Sequence, residues 1–105
     1  MCMVFAGQDP AAYESETRSV RLHGHATSIR LERAFWQVID AIAAEEGVTS
    51  TRFLSVLHDE VMALHGEARN FSSLLRCACL EHMRRQSGAP TASRTTTPIA
   101  SRAAM

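Results

Sequence analysis

The stretch Thr27-Ser28-Ile29-Arg30-Leu31, followed by residues 32–46, Gly47 and residues 49–64, decides how this chain is read. Residues 27–31 alternate. Ile29 and Leu31 fall on one face, Ser28 and Arg30 on the other, which is the period of a half-buried strand. In residues 32–46 apolar positions recur at three-to-four spacing (Leu31, Ala34/Phe35, Val38/Ile39, Ile42/Ala43), one stripe of an amphipathic helix. Glu32 falls in its first turn, where the positive helix end favours an anion. Trp36 falls beside the stripe and is expected to cover its rim. Gly47 is placed to stop the helix in a left-handed conformation. Thr49 is a good N-cap for a second helix, whose stripe is Phe53, Leu54, Leu57, Val61 and Leu64 and which ends at His65-Gly66. A strand this short does not persist alone, so the chain must find it a partner.

Upstream, Arg18-Ser19-Val20-Arg21-Leu22 also alternates, with Val20 and Leu22 on one face and Ser19, Arg21 and His23 on the other. Two alternating runs around His23-Gly24-His25-Ala26 read as either a hairpin or one long bent strand, the hairpin being preferred. Between residues 18 and 33 there are four Arg and one Glu, with His23 and His25 besides. This is the only locally basic segment of the expected fold. Downstream, Asn70 or Ser72 caps a third helix over residues 70–85. Its apolar positions are Leu74, Leu75, Ala78 and Leu80, and its wet positions are Arg76, Glu81, Arg84 and Arg85. No proline occurs between Pro10 and Pro90. The expected organisation is a flexible arm over 1–17, a folded domain over 18–86, and a disordered Ser/Thr/Ala/Pro-biased tail over 87–105.

The chain has 105 residues, room for one small domain, and a formal net charge of zero. That balance argues against a generally basic, nucleic-acid-coated surface but allows a local patch. All eleven basic residues are arginine. Cys2, Cys77 and Cys79 have no disulfide spacing, and the last two should point to different helix faces, which fits a reducing cytoplasm. No run is long and apolar enough to predict a membrane span, and the N-terminus has no secretory pattern.

Ser28-Ile29-Arg30-Leu31, the stripe Phe35, Val38, Ile39 and Ile42, the turn Glu46-Gly47-Val48-Thr49, and Phe53-Leu54 together resemble the ribbon-helix-helix superfamily (Arc/MetJ-type) of DNA-binding proteins. Arg18-Ser-Val-Arg-Leu, Gly24-His25, Thr27-Ser-Ile-Arg-Leu-Glu, Ala34-Phe35-Trp36 and Asn70-Phe-Ser-Ser-x-Leu-Arg76 are similar to a small uncharacterised bacterial branch of it. The resemblance implies a mainly α fold with a short N-terminal β-ribbon, a ribbon-helix-helix unit plus a third helix, and an intertwined homodimer. Strands of two chains would pair antiparallel and enter the DNA major groove. Ser28 and Arg30 would then contact bases, and Ile29 and Leu31 would form the dimer's ribbon core. Backbone N–H groups at Thr49, Ser50 and Thr51 would hold a phosphate, with Arg52, Arg33 and Arg21 as further phosphate contacts. Stacking of dimers into tetramers on DNA is left open. This chain departs from the family in placing Glu32 where a proline is usual, which puts an acid near the expected DNA face, in adding residues 18–23, which would either join that face or block the groove, and in adding the third helix.

Three other readings compete. Five histidines and Cys77/Cys79 invite a metal, but there is no C-x-x-C or H-x-x-x-H pair, so no metal or other cofactor is expected and His23 and His25 read as turn residues. No Gly-x-Ser-x-Gly setting, triad pattern or Gly-rich phosphate loop appears, so no catalysis is expected. A protein-interaction role, as an adaptor or an antitoxin-like dimer with partners bound through the tails, is the alternative to DNA binding.

Overall fold

The computed structural model describes residues 2–88, so the tail expected over 87–105 lies, beyond Gly88, outside the described residues. The elements follow in the order α1 (Cys2–Ala6), a single 3₁₀ turn (Pro10–Tyr13), β1 (Ser15–Leu22), β2 (His25–Glu32), α2 (Arg33–Glu46), α3 (Ser50–His65) and α4 (Phe71–Gln86). β1 and β2 pair antiparallel, with Ser19 opposite Ser28, Thr17 opposite Arg30 and Leu22 opposite His25. The hairpin is therefore the arrangement adopted. Its two-residue turn has positive φ at both His23 (56°) and Gly24 (83°), the signature of a type I′ turn whose twist matches the flanking strands.

One edge of residues 27–31 is thus paired within the chain, and pairing with a second chain, as the resemblance implies, would use the other edge. A first correction is that β1 begins earlier than residue 18. Of the arm expected over 1–17, residues 15–17 are the start of β1, and the Glu14 carbonyl accepts a hydrogen bond from the Arg33 N–H at 2.8 Å. The missing signal is that Ser15 to Thr17 carry no apolar residue. Glu16, the one of them that turns inward, is held by its ion pair with Arg18, which hydrophobic alternation does not report.

Period-two alternation then fixes the two faces of the hairpin. Val20, Leu22, Ile29 and Leu31 turn inward and are buried against Trp36 and Ile39 of α2, Leu54 of α3, and Leu75 and Cys79 of α4. Ile29 and Leu31 thus lie in the core of a single chain, before any second copy is considered. Trp36 is a second correction. Rather than covering a rim it is completely buried, and its Nε1–H donates to the Glu16 carbonyl at 2.8 Å. The buried face of α2 runs through Trp36, Ile39 and Ala43, with Phe35 and Val38 packed at its margin. It is rotated from the expected stripe because the large indole, once its N–H has a partner, gains most from burial.

The turns behave as their residues dictate. Gly47 adopts φ 75° and its N–H reaches back to the α2 carbonyls of Ala43 and Ala44, closing the helix. Thr49 caps α3, its hydroxyl accepting from the Arg52 N–H at 3.0 Å. α4 completes the core through Leu75 and Cys79 and is tied to the strand end by Arg76, whose guanidinium makes a forked pair of bonds to Glu32 (2.9 and 3.4 Å). Cys77 is exposed and Cys79 buried, the divergence that their spacing predicts, and burial pushes the Cys79 thiol up to about 11.

Candidate nucleic-acid interface

The outward face of the hairpin is polar except for Ala26. Thr17, Ser19 and Arg21 on β1 lie directly opposite Arg30, Ser28 and Ala26 on β2, and all six are exposed. Among the described residues Arg30 has no hydrogen-bond or ion-pair partner, so its five donors are available. Arg21 makes one contact, donating to the Gly24 carbonyl at 3.1 Å at the turn. The face thus carries two guanidinium groups and three hydroxyls.

The acid that Glu32 brings to the strand end does not oppose them. Glu32 lies at the N-cap of α2, and Arg76 holds its carboxyl below the usual carboxylate range. Charge neutralisation by α4 therefore removes the conflict that Glu32 raises in the sequence. Arg33 is placed differently from Arg30. It lies against the acidic start of β1, 3.5 Å from Glu16 and 3.9 Å from Glu14.

The inner face of β1 carries a polar relay. Arg18 donates through both Nη atoms to Asp40 of α2 (2.8 and 3.1 Å) and through Nε to Glu16 (2.8 Å), with its guanidinium 4.4 Å from the centre of the Trp36 rings. Asp40 also accepts from the Ser50 hydroxyl at 2.6 Å. This geometry holds the Asp40 carboxyl below the usual range, chiefly through Arg18, and raises the Arg18 guanidinium above its ordinary value. The relay joins the hairpin to α2 and to the first residue of α3. The expected phosphate contacts at that helix start fall into two kinds. Thr49 and Ser50 use their hydroxyls internally. The exposed Thr51 and Arg52 side chains, with the Ser50 and Thr51 N–H groups, have no partner among the described residues, as a helix N-terminus leaves its first donors.

The free edge of β2 is the remaining feature. In a two-residue hairpin the flanking pair, here Leu22 and His25, exchanges both ladder bonds and pairs alternate from there. The backbone groups of Ala26, Ser28 and Arg30 therefore point away from β1 and meet no other strand among the described residues. A cavity of about 750 Å³ opens beside this edge, between Thr27 to Ile29, the second half of α3 and the first turn of α4. Of these features, sequence alternation marks Ser28, Arg30 and Arg21. It does not mark Thr17, and the Arg18–Asp40–Ser50 and Glu32–Arg76 contacts join residues too far apart in sequence for any local pattern to show.

Comparison with known proteins agrees with this architecture. The chain is similar to an uncharacterized protein from Bordetella pertussis Tohama I whose structure is solved, with 42% identity and a TM-score of 0.82 over 96% of this chain and 81% of that one. A search of the curated proteins gives no match. The family model described as the ribbon-helix-helix domain matches residues 15–83, from the first residue of β1 into the last turn of α4. The chain belongs to the ribbon-helix-helix domain family, which is in general a family of DNA-binding regulators.

Proposed function

We propose that this protein is a sequence-specific DNA-binding regulator that acts as a homodimer and presents the outward face of its hairpin to the major groove. The observation that carries this reading is the contrast between Arg18, fully engaged inside, and Arg30, exposed with no partner among the described residues outside. A free, oriented guanidinium fits the two acceptors of a guanine edge, and the Ser28 hydroxyl adds a less discriminating contact. The second copy would pair along the open edge of β2, since a two-fold axis brings identical edges together.

The added strand shapes how such a dimer meets DNA. Four strands in the order β1-β2-β2-β1 span about 14 Å between outer axes at ~4.8 Å per step. The major groove is about 12 Å wide, so only the central pair enters it. Arg21, Thr17 and Ser19 on the flanking strands then face the groove walls and their phosphates, joined there by Thr51, Arg52 and the start of α3. Arg33, committed to Glu14 and Glu16, has the weakest claim among the expected phosphate contacts.

Gel mobility shift on genomic fragments over a salt series tests the reading. Retention should weaken linearly as log affinity against log salt, and Arg30→Ala should reduce it without lowering the melting temperature. A clean dimer that retains no DNA at low salt would instead favour the adaptor role. The exposed Leu80 and Met83 on α4 are the surface that would then matter. The protein is proposed to have no enzymatic activity.

A further inference from the structure

At the tip of the hairpin, away from the relay and from Arg30, three side chains that binding of DNA does not require converge from two elements. His23 of the turn places Nδ1 3.1 Å from the Asp59 carboxylate of α3, and the His23 and His58 rings stand 6.3 Å apart between centres. One ligand atom from each of His23, His58 and Asp59 lies within 4.8 Å of the others. Two observations set this group apart from an ordinary surface hydrogen bond. The Nδ1 atom of His58 is buried and has no hydrogen-bond partner, and unpartnered buried polar atoms are rare enough to require a reason. His23 also occupies a left-handed position before Gly24, where asparagine is the favoured residue of a type I′ turn.

We propose that His23, His58 and Asp59 form a binding site for a zinc-class divalent ion, which would staple the hairpin tip to α3. Two imidazoles and one carboxylate are a ligand set suited to Zn²⁺, with a fourth position left for water or an incoming group. At zinc bond lengths near 2.1 Å, tetrahedral ligands sit roughly 3.4 Å apart; His23 Nδ1 and the Asp59 carboxylate already stand 3.1 Å apart, and the widest separation in the group, within 4.8 Å, has to close by at most ~1.4 Å. His23 and Asp59 are more than half exposed, at 63% and 56%, and are free to make that adjustment. Magnesium, which prefers an octahedron of oxygens, does not suit two nitrogens. Spacing along the sequence could not reveal the site, because residue 23 meets residues 58 and 59 only through the fold.

The test uses the full chain, stripped with a chelator and titrated calorimetrically with Zn²⁺ and separately with Mg²⁺. One Zn²⁺ per chain should bind, Mg²⁺ should give no heat of binding, and Zn²⁺ should raise the melting temperature. His23→Asn keeps the left-handed turn, so the metal-free variant should melt at or above the wild-type temperature while its Zn²⁺ affinity falls by about tenfold or more. Asp59→Asn, a change at an exposed helix position, should weaken Zn²⁺ by a similar factor. His25→Ala, which alters the neighbouring turn histidine, should leave the affinity unchanged. Absence of Zn²⁺ binding by the wild type, or unchanged affinity in both His23→Asn and Asp59→Asn, would overturn the assignment. Neither result bears on DNA binding, which is read separately.

Discussion

Arg18 and Arg30 sit on the same hairpin, one on each strand, and differ only in which face they occupy. Arg18 turns inward, where Asp40, Glu16 and the Trp36 rings use its charge and its plane. Arg30 turns outward, where among the described residues nothing uses them. The difference separates two jobs that composition cannot separate. An arginine satisfied within the chain is part of the architecture, and an arginine left unsatisfied on an ordered, exposed strand is available to a partner. The same division runs along the whole hairpin, from Val20, Leu22, Ile29 and Leu31 inside to Thr17, Ser19, Arg21 and Ser28 outside.

The sharpest way to break the comparison is to attack the inner face at its centre. Trp36→Ala removes the largest buried side chain and takes the indole N–H away from the Glu16 carbonyl. Truncations of this kind cost about 3–5 kcal/mol, a large part of a small domain's stability. Circular dichroism melts should show a steep fall in melting temperature or no cooperative transition. Ile29→Lys should act as strongly by burying a charge, and it should unfold the single chain as well as any dimer. A folded, soluble Ile29→Lys monomer in analytical ultracentrifugation would contradict this packing.

On the outer face the readout changes. Arg30→Ala should lower affinity for a selected operator by roughly 10- to 100-fold, equivalent to about 1–3 kcal/mol, while the melting temperature stays within the scatter of surface substitutions. If Arg30→Ala also destabilised the protein, the division between the faces would fail.

Asp40→Asn sharpens the comparison from the inside, because it weakens the relay without opening a cavity. Its pairing with Arg18 is partly solvated, so a loss of about 1 kcal/mol is expected after screening. The sign of the pH effect follows from the direction of the shift. Asp40 and Glu32 both titrate below their ordinary values of 3.8 and 4.5 in the fold. Their stabilisation is therefore complete above that range and is lost as pH falls through the lower folded values. Melts taken from neutrality down to about pH 3 should show this decline, and Asp40→Asn should flatten it. Smallest of all, Ser28→Ala should weaken operator binding only a few-fold, since a hydroxyl discriminates bases less than a guanidinium fork.

How much of this is legible in the sequence depends on how far apart the interacting residues lie. Gly47, Thr49 and the three main helices announce themselves through local chemistry, and the two alternating runs around His-Gly-His-Ala favour the hairpin while leaving one long bent strand open. The outward placement of Ser28 and Arg30 follows from alternation alone. What escapes is non-local. Trp36 lies beside the α2 stripe by periodicity, and only the Glu16 carbonyl, reached across the hairpin, explains its full burial. Glu32 reads in the sequence as an obstacle to an anionic partner, and only Arg76, brought to it by the packing of α4, neutralises it. The early start of β1 stays hidden because Glu16 and Arg18 face inward as an ion pair, where an alternation pattern expects apolar residues.

The Arg18–Asp40 clamp has one more consequence, for how the chain finds this arrangement among its near neighbours. Because strand faces alternate every residue, a slip of β1 by one position would send Val20 and Leu22 into water and turn Thr17 or Ser19 toward Asp40. Hydrophobic burial alone penalises that slip, but a slip by two would leave the alternation intact. Arg18 alone supplies the forked donor that Asp40 and Ser50 complete, so a two-residue slip would strand a carboxylate against Glu16 or Val20. The clamp therefore acts as a proofreading device for strand alignment, adding a polar check at Arg18 to the burial of Val20 and Leu22.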